Sequence, residues 1–340
     1  MTLQRRILIL VTAVVLLAGV GVKPSCGPPR ARRRTGHAPA GRRSPAARCP
    51  WPRAAAAGWS SGTWPGARTA TSSPPPRPDA PGGPRTASGV NCLRFHAAAG
   101  TGICLRADKG GVQESYRAVV LDAALKEVSA HPLAGIPTRA RVSPGGHLAA
   151  WTVFVGGDSY AGTDFSTRTS LLDLRTGKLD ASLEDFTVLK DGREYRNADV
   201  NFWGVTFTAD EKAFYATLAT GGRTYLVRGD LAARTVTTLR ENLECPSLSP
   251  DGTRLVFKKR VPGLPAEAPW RLYVLDLASM RETPLAEERS VDDQVVWRDD
   301  RTLVYSLPGD FGADLYTLPA DGSGAPVRLA DSALAPAFLG

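Results

Sequence analysis

Histidine, cysteine and methionine are scarce in this chain of 340 residues. It contains four histidines, five cysteines and two methionines, and no two cysteines have CxxC spacing. A D-x-D-x-D-G calcium loop and a G-x-x-x-x-G-K-[ST] phosphate loop are both absent. The spacing of cysteine and histidine supports no zinc site. We therefore expect neither a metal nor a cofactor.

Motifs for nucleophilic catalysis are also missing. The G-x-S-x-G elbow of α/β-hydrolases does not occur. Residues 153–162 (VFVGGDSYAG) resemble the nucleophile block of SGNH hydrolases, but that family needs a histidine base near the C-terminus. The last histidine, His147, precedes Ser159. We therefore expect a long loop at this position and a chain that is not an enzyme.

Acidic side chains are almost absent from the first 90 residues. That segment contains 14 Lys/Arg and one acid, Asp79, whereas residues 91–340 contain 28 basic and 32 acidic residues. The net charge of +9 and the pI of about 9.5 therefore arise from the N-terminal part. Because the basic excess does not belong to the rest of the chain, we expect no nucleic-acid partner.

Residues 7–22 form an apolar run behind two arginines. A basic start followed by such a run predicts a signal peptide or signal-anchor helix, and we assign it to residues 1–22. Lys23-Pro24 interrupts any small-x-small cleavage site, which favours an uncleaved anchor. We expect attachment to the extracytoplasmic face of the cell membrane, or secretion if the signal is cleaved.

Residues 23–89 contain no Ile, Leu, Val, Phe, Tyr or Met, but 14 of the 27 prolines. Such a segment cannot bury enough apolar surface to fold, which predicts a disordered Pro/Arg/Ala-rich linker. However, a dense basic run directly after an anchor opposes translocation. A second hypothesis is that this segment comes from GC-rich DNA read in the wrong frame, and retranslation of the gene in all frames tests it.

Residues 245–285 contain the clearest local pattern, a tight turn between short strands. The turn is Ser249–Gly252 (SPDG), with proline in the second and glycine in the fourth position, as is typical of a type I turn. Apolar residues before the turn predict the first strand. The predicted strands after it span 253–258, 272–277 and 281–285. Four short antiparallel strands make one sheet that cannot bury both of its faces alone.

The pattern recurs along the chain. Turn signals begin at residues 143, 208, 249 and 298, a degenerate copy spans 91–133, and an insertion near 180–198 lengthens the longest interval. Repeats of about 40–45 residues with four strands each predict a β-propeller. We therefore expect an all-β propeller of four-stranded blades, five of them recognisable. Residues 333–340 (ALAPAFLG) resemble one more inner strand, which indicates a six-bladed parent with one blade disrupted.

The repeat also resembles a known family. SPDGTRLVF followed by LYVLDL is similar to the WD40-like PD40 repeat of TolB-type propellers, with the best match at 245–285 and a good one at 139–183. The resemblance extends over a domain that we place at 90–340. It implies a monomeric, non-catalytic module that binds a protein or peptide through its rim or channel mouth.

Two other function classes stay open, because propellers host many functions. One is a propeller enzyme, a hydrolase or lyase that acts on sugars or lactones in the central channel. The other is a small-ligand sensor that uses the same channel, in which Trp203 or Trp270 closes a pocket. Three or more ionisable groups that converge on the channel would favour the enzyme.

Acidic residues mark one predicted mouth of the channel. Glu244 and Asp293 both lie five residues before a turn, and Asp292 flanks Asp293. Inner strands of a propeller begin near one channel mouth, so these carboxylates are candidates to bind a cation or a basic segment. The alternative is solvated loop carboxylates. Trp203 occupies the equivalent place in another repeat and is a candidate for the same mouth, with packing in the core as the alternative.

Cys92 and Cys104 are placed symmetrically about Ala97–Gly100. A hairpin with its tip there puts the two cysteines opposite each other, so a disulfide is one interpretation and two small buried hydrophobes the other. A Cα–Cα distance above about 7 Å excludes the bridge. Cys245 begins an apolar strand and is expected to be a buried free thiol.

Overall fold

A computed structural model describes residues 87–108, 115–155, 166–310 and 312–338, together with three short strands before them. The short strands are β1 (Arg48–Pro50), β2 (Arg53–Ala55) and β3 (Gly58–Ser60). β2 pairs with β3, and β1 pairs with β4 (Ala87–Asn91). The predicted signal segment and most of the predicted linker lie outside the described residues. Within the described part, no helix has the length and apolar character needed to cross a membrane.

The remaining strands form five sheets, which we number as blades 1 to 5 in chain order. Blade 1 comprises β5 (Arg94–Ala98), β6 (Thr101–Asp108), β7 (Ser115–Leu121) and β8 (Glu127–Leu133). Blade 2 comprises β9 (Ile136–Val142), β10 (Leu148–Val155), β11 (Ser166–Asp173) and β12 (Leu179–Asp180). A hairpin of β13 (Thr187–Lys190) and β14 (Arg193–Tyr195) precedes blade 3, which comprises β15 (Asn201–Phe207), β16 (Ala213–Thr220), β17 (Arg223–Asp230) and β18 (Thr235–Glu241). Blade 4 comprises β19 (Glu244–Leu248), β20 (Arg254–Arg260), β21 (Trp270–Asp276) and β22 (Glu282–Pro284). Blade 5 comprises β23 (Val296–Trp297), β24 (Thr302–Gly309), β25 (Gly312–Pro319) and β26 (Val327–Ala330).

Each blade is an antiparallel meander whose first strand lies innermost. The first strands of successive blades contact one another, from β5 through β9, β15 and β19 to β23. This arrangement around a common axis confirms the predicted all-β propeller with five four-stranded blades. The only helical segment among the described residues is a 3-10 turn at Leu183–Asp185.

The insertion predicted near 180–198 extends blade 3. β13 runs parallel to the outer strand β18, and β14 pairs with β13, so the sheet has six strands. Phe186 and Val188 are buried in the apolar cluster between blades 2 and 3. The insertion is therefore stabilised by apolar side chains that are buried in the cluster joining blades 2 and 3.

Strand alternation explains why the sheets assemble. In β20, Leu255 and Phe257 pack with blade 3, whereas Val256 between them packs with blade 5. In β10, Trp151 packs towards blade 1 and Ala150 towards blade 3. Successive side chains of a strand point to opposite faces, so blades 2, 3 and 4 each bury one face against the blade before and the other against the blade after.

The turns between the first and second strands follow the predicted chemistry. In blade 4, the Gly252 N–H donates to Ser249 O at 2.9 Å, and Gly252 has the positive φ of 71° that glycine tolerates. The Ser249 Oγ accepts from the Arg254 N–H at 3.0 Å. Ser143 and Thr208 accept equivalent bonds in blades 2 and 3. A hydroxyl at the first turn position thus closes three of the five turns.

The C-terminal segment differs from its prediction. Residues 333–338 resemble an inner strand in sequence, but they form no strand in the structure. Ala333 and Phe338 pack with blade 5, whereas Ala337 packs with the core of blade 1. A strand needs a ladder of backbone bonds, and the bond from the Ala333 N–H to the Ala313 carbonyl at 2.7 Å does not continue into one.

Candidate functional site

The five inner strands run in one direction along the axis, which gives the propeller two distinct faces. The face where inner strands begin, near Arg94, Glu244 and Asp293, is called the start face below. The opposite face carries the turns Ser143–Gly146 and Ser249–Gly252 and is called the turn face.

Side chains from non-adjacent blades meet on the axis near the start face. The Arg139 guanidinium of blade 2 donates to Asp292 O, which precedes blade 5, at 2.9 Å and lies 3.6 Å from the Asp293 carboxylate. The Gln294 amide donates to Val205 O at 3.2 Å and to Pro246 O at 2.7 Å. These bonds link blades 2, 3, 4 and 5 across the start half of the axis.

Asp293 is held as an anion inside this network. Its Oδ1 accepts the Gln294 N–H at 2.9 Å. Burial raises the pKa of Asp293, but the Arg139 and Arg94 guanidiniums outweigh that effect and leave the pKa below its usual value. The carboxylate therefore stays ionised near neutral pH.

Glu244 and Asp292 meet around a buried lysine. Lys258 is 4% exposed, its Nζ lies 3.7 Å from Glu244 Oε2, and it also donates to Asp292 Oδ1. The same Nζ lies 4.0 Å from the centre of the Trp270 ring, a cation–π contact. Burial raises the pKa of Glu244, and the Lys258 charge offsets this only in part.

The structure thus brings together the three predicted carboxylates but adds cations that sequence reasoning missed. Asp293 faces Arg139, while Glu244 and Asp292 face Lys258. The available signal was the lysine that directly follows the apolar run Leu255–Phe257 of β20, because the strand register pairs Lys258 with Glu244. The binding role of these carboxylates stays a prediction.

Trp203 lies in β15 opposite Thr217 and is 8% exposed. Trp203 is therefore buried, as in the alternative interpretation of core packing, and does not stand exposed at the channel mouth. Trp270, the other tryptophan expected to be able to close a ligand pocket, is in contact with the ionic cluster, because the Lys258 and Arg260 charges lie against its ring.

Cys92 and Cys104 are joined by a disulfide, with a Cα–Cα distance of 5.3 Å that lies within the geometric limit. Their expected direct opposition is wrong, because Cys104 pairs with Phe95 in the hairpin register. The tip consists of Ala99 and Gly100, both with positive φ, as in a two-residue turn. The bridge lies in the buried core of blade 1.

A cavity of about 210 Å³ occupies the turn half of the axis. All five blades and the C-terminal segment contribute to its wall, which is mostly apolar. The lining residues are His96, Ala97, Ala98, Arg141, Val142, Pro144, Thr206, Phe207, Ala209, Ser247, Leu248, Ser249, Pro250, Gly252, Val296, Trp297 and Phe338. Only Arg141 and His96 among them are ionisable.

The two ionisable groups of the cavity contact each other. The Arg141 Nη1 lies 3.0 Å from His96 Nε2, and the Val142 N–H lies 3.1 Å from His96 Nδ1. Both ring nitrogens thus face donors, and a protonated imidazole would accept neither bond. Burial lowers the pKa of His96 well below its usual value, and the Arg141 charge lowers it further. Sequence reasoning selected neither residue.

A second cavity, of about 30 Å³, lies between blades 5, 1 and 2. Arg94, Arg139, Arg141 and Asp293 are its charged lining residues, and Ala335 and Pro336 of the C-terminal segment close one side. This volume is large enough to hold a water molecule.

Metal ligation is not suggested by this geometry. No group of three or more His, Cys, Asp or Glu side chains with suitable placement occurs within the described ranges. The larger cavity offers instead the buried Arg141 guanidinium, the neutral His96 imidazole and apolar walls.

Comparison with known proteins gives a likeness of fold. No protein-family model matches the chain, and no curated protein matches it significantly. Among solved structures, TolB from Acinetobacter baumannii shows 16% identity over 73% of this chain and 56% of that chain, with a TM-score of 0.46. The putative TolB from Agrobacterium tumefaciens shows 13% identity over 69% and 79% of the two chains, with a TM-score of 0.43. Oligogalacturonate lyase in complex with manganese shows 11% identity over 66% and 64%, with a TM-score of 0.43. The aligned part thus spans little more than half of the Acinetobacter protein, and the chain resembles TolB and related propeller proteins in fold.

Proposed function

We propose that this propeller is a non-catalytic binding module that takes a segment of a protein or peptide into the axial cavity on the turn face. The observation that carries the proposal is the cavity itself, since all five blades line it. Its volume of about 210 Å³ is smaller than the roughly 300–1,000 Å³ of pockets that enclose drug-sized molecules. It suits a single side chain or a chain end.

A second candidate, a propeller enzyme, is favoured by one observation. Arg94, Arg139, Arg141 and Asp293 converge near the axis, and such convergence was the criterion for an active site. However, a general acid or base works best with a pKa near the working pH. The pKa of His96 and that of Asp293 are both lowered, so neither group is suited to carry protons at neutral pH.

Panning a random heptapeptide library on the full chain tests the proposal. Enriched peptides are synthesised and their Kd is measured by calorimetry. Ala209→Trp places a large ring at the exposed mouth of the cavity, and we expect it to weaken binding at least about tenfold. Val128→Trp, at a residue of the outer strand β8 that is 66% exposed, is the matched control and should leave the Kd unchanged.

Two results would count against the proposal. Peptides that bind Ala209→Trp as tightly as the wild type would place recognition elsewhere. Turnover of glycan, lactone or peptide substrates that is lost in Ala209→Trp but kept in Val128→Trp would favour the enzyme instead.

We also propose that residues 7–22 tether the propeller to the extracytoplasmic face of the membrane. The apolar run behind two arginines supports this, and the Cys92–Cys104 disulfide fits an oxidising compartment. Carbonate extraction and thiol labelling of cells that express the chain provide the test. Recovery in the soluble cytoplasmic fraction with both thiols reduced would refute the tether.

A further inference from the structure

Arg141 is a buried cation with few partners. It is 7% exposed, its Nη1 contacts His96 at 3.0 Å, and its Nη2 donates to Val295 O over a long 3.4 Å. Its Nε–H has no hydrogen-bond partner among the described residues. Asp293, whose charge acts on Arg141 from a distance, pairs with Arg139 instead. A guanidinium has five N–H donors, so most of this hydrogen-bonding capacity is unused.

His96 cannot supply what Arg141 lacks. A neutral imidazole has one acceptor nitrogen, yet the Val142 N–H and the Arg141 Nη1 approach its two nitrogens. At most one of these donors is satisfied at any time. The contact therefore positions the Arg141 side chain but does not balance its charge.

The charge excess is local to the axis. Three arginines, Arg94, Arg139 and Arg141, line the two axial cavities against one carboxylate, Asp293. Residues 91–340 as a whole contain more acidic than basic side chains, 32 against 28. An uncompensated buried cation is unfavourable, and a bound anion removes that penalty.

The cavity limits which anion fits. Its walls include the aromatic residues Phe207, Trp297 and Phe338, and Arg141 is the one charged residue among the described residues that line it. We propose that the axial cavity binds an apolar group that carries a single carboxylate, with the carboxylate against the Arg141 guanidinium. The inference rests on the proposed function in that it names the group recognised by the same cavity. The carboxylate comes either from a peptide, as its C-terminus or an acidic side chain, or from a small free acid.

Benzoate and benzamide are suitable probes because they share a shape and differ in charge. Calorimetry on the full chain should show that benzoate binds and that benzamide binds about 10- to 100-fold more weakly, the loss expected for one charge-assisted hydrogen-bonded contact. Arg141→Met should weaken benzoate binding by a similar factor, and Arg141→Lys, which keeps the charge, by less. Arg106→Met removes an exposed cation of β6 that pairs with Glu127, and should change nothing.

If Arg141→Met does not fold, a second variant still tests the proposal. Ala209→Trp alters only the exposed mouth, so loss of benzoate binding in that variant places the probe in the cavity. Equal affinity for benzoate and benzamide would overturn the inference, as would benzoate binding that survives Ala209→Trp or a folded Arg141→Met. Tighter binding of inorganic phosphate than of benzoate would overturn it as well.

The same measurements separate this inference from the proposed function. If cavity-dependent peptides bind Arg141→Met as well as the wild type, the peptide module stands and the carboxylate site falls. If benzoate behaves as expected but no peptide is enriched, the carboxylate site stands, its source is a free acid, and the peptide module falls. Peptides with a free C-terminus, a C-terminal amide or an acidic side chain identify which carboxylate a peptide supplies.

Discussion

Gly204 is the position at which the contact between two inner strands can be tested most directly. It lies in β15 and has a φ of 66°. The pairing of β15 with β16 shifts register at this position, and the pairing of β19 with β20 shifts register on the facing strand. A Cβ built on Gly204 would lie 2.9 Å from the Cα of Cys245. That distance is shorter than real Cβ contacts, and the atom it meets belongs to the backbone, which cannot rotate away.

The expected loss in Gly204→Ala has two parts. An L-residue at this positive φ costs about 1–2 kcal/mol. Overpacking against a fixed backbone typically costs a further 1–3 kcal/mol or so. The free energy of unfolding should therefore fall by about 2–5 kcal/mol. For a domain of this size, each kcal/mol lowers Tm by roughly 2–4 °C.

Gly222→Ala is the matched control. Gly222 has a similar φ of 70° in the turn between β16 and β17, but no atom lies within 4 Å of a built Cβ. It should lose the backbone part alone, about 1–2 kcal/mol. Thermal unfolding followed by circular dichroism compares the two variants. An equal loss of Tm in both would refute the close approach of β15 and β19.

Two further predictions concern blade 1 and its contact with the axis. The double variant Cys92→Ser/Cys104→Ser should lower the free energy of unfolding by about 3 kcal/mol, because the bridge closes a short loop in the unfolded chain. Differential scanning calorimetry should show that a reductant lowers the Tm of the wild type but not the Tm of this variant. Burial and the Arg141 charge lower the pKa of His96 below 6.5 in the folded protein. The stability that the neutral His96 contributes is therefore fully present above about pH 6.5. It is lost as the pH falls from there towards the pKa of His96 in the folded protein. The slope attributable to His96 is at most about 1.4 kcal/mol per pH unit. Urea midpoints between about pH 5 and 8 should show a flatter dependence in His96→Gln but not in the control His131→Gln, and an unchanged slope in His96→Gln would contradict the neutral buried imidazole.

The blades were predictable because their signals are local. The Ser249–Gly252 turn, with proline and glycine at set positions, is readable over four residues. The alternation of Leu255, Val256 and Phe257 then predicts two buried faces without any knowledge of the neighbouring blades. A repeated pattern of this kind leaves few architectures other than a ring.

The axial site was not predictable for the opposite reason. His96 and Arg141 are separated by 45 positions, and their contact depends on how blades 1 and 2 are rotated about the axis. Alignment of the repeats predicted that Glu244 and Asp293 lie near the axis, but it did not predict the cations that face them. Lys258 comes from a second strand, and Arg139 reaches across from a non-adjacent blade.

The disulfide shows how a small register error arises. Symmetry about Ala97–Gly100 placed the hairpin tip one position too early in the chain. The observed pairs, from Ala98 with Thr101 to Phe95 with Cys104, follow from a two-residue tip in which Ala99 itself adopts a positive φ of 45°. Alanine gives little sequence signal for that conformation, because glycine and asparagine are the residues usually found there.

The alternation that builds the blades also determines which side chains face the axis. In β9, Ala140 and Val142 pack into the apolar cluster with blade 1, so Arg139 and Arg141 must point to the opposite side, towards the axis. None of the described sheets covers that side, and a polar side chain is stable there only if groups across the axis bond to it. Arg139 has such partners in Asp292 and Asp293, and only a cavity of about 30 Å³ is left beside it. Arg141, one strand period further on, has few partners and lines the open cavity. We therefore expect recognition at the turn half of the axis, where the inner strands still present a charge that the fold itself does not neutralise.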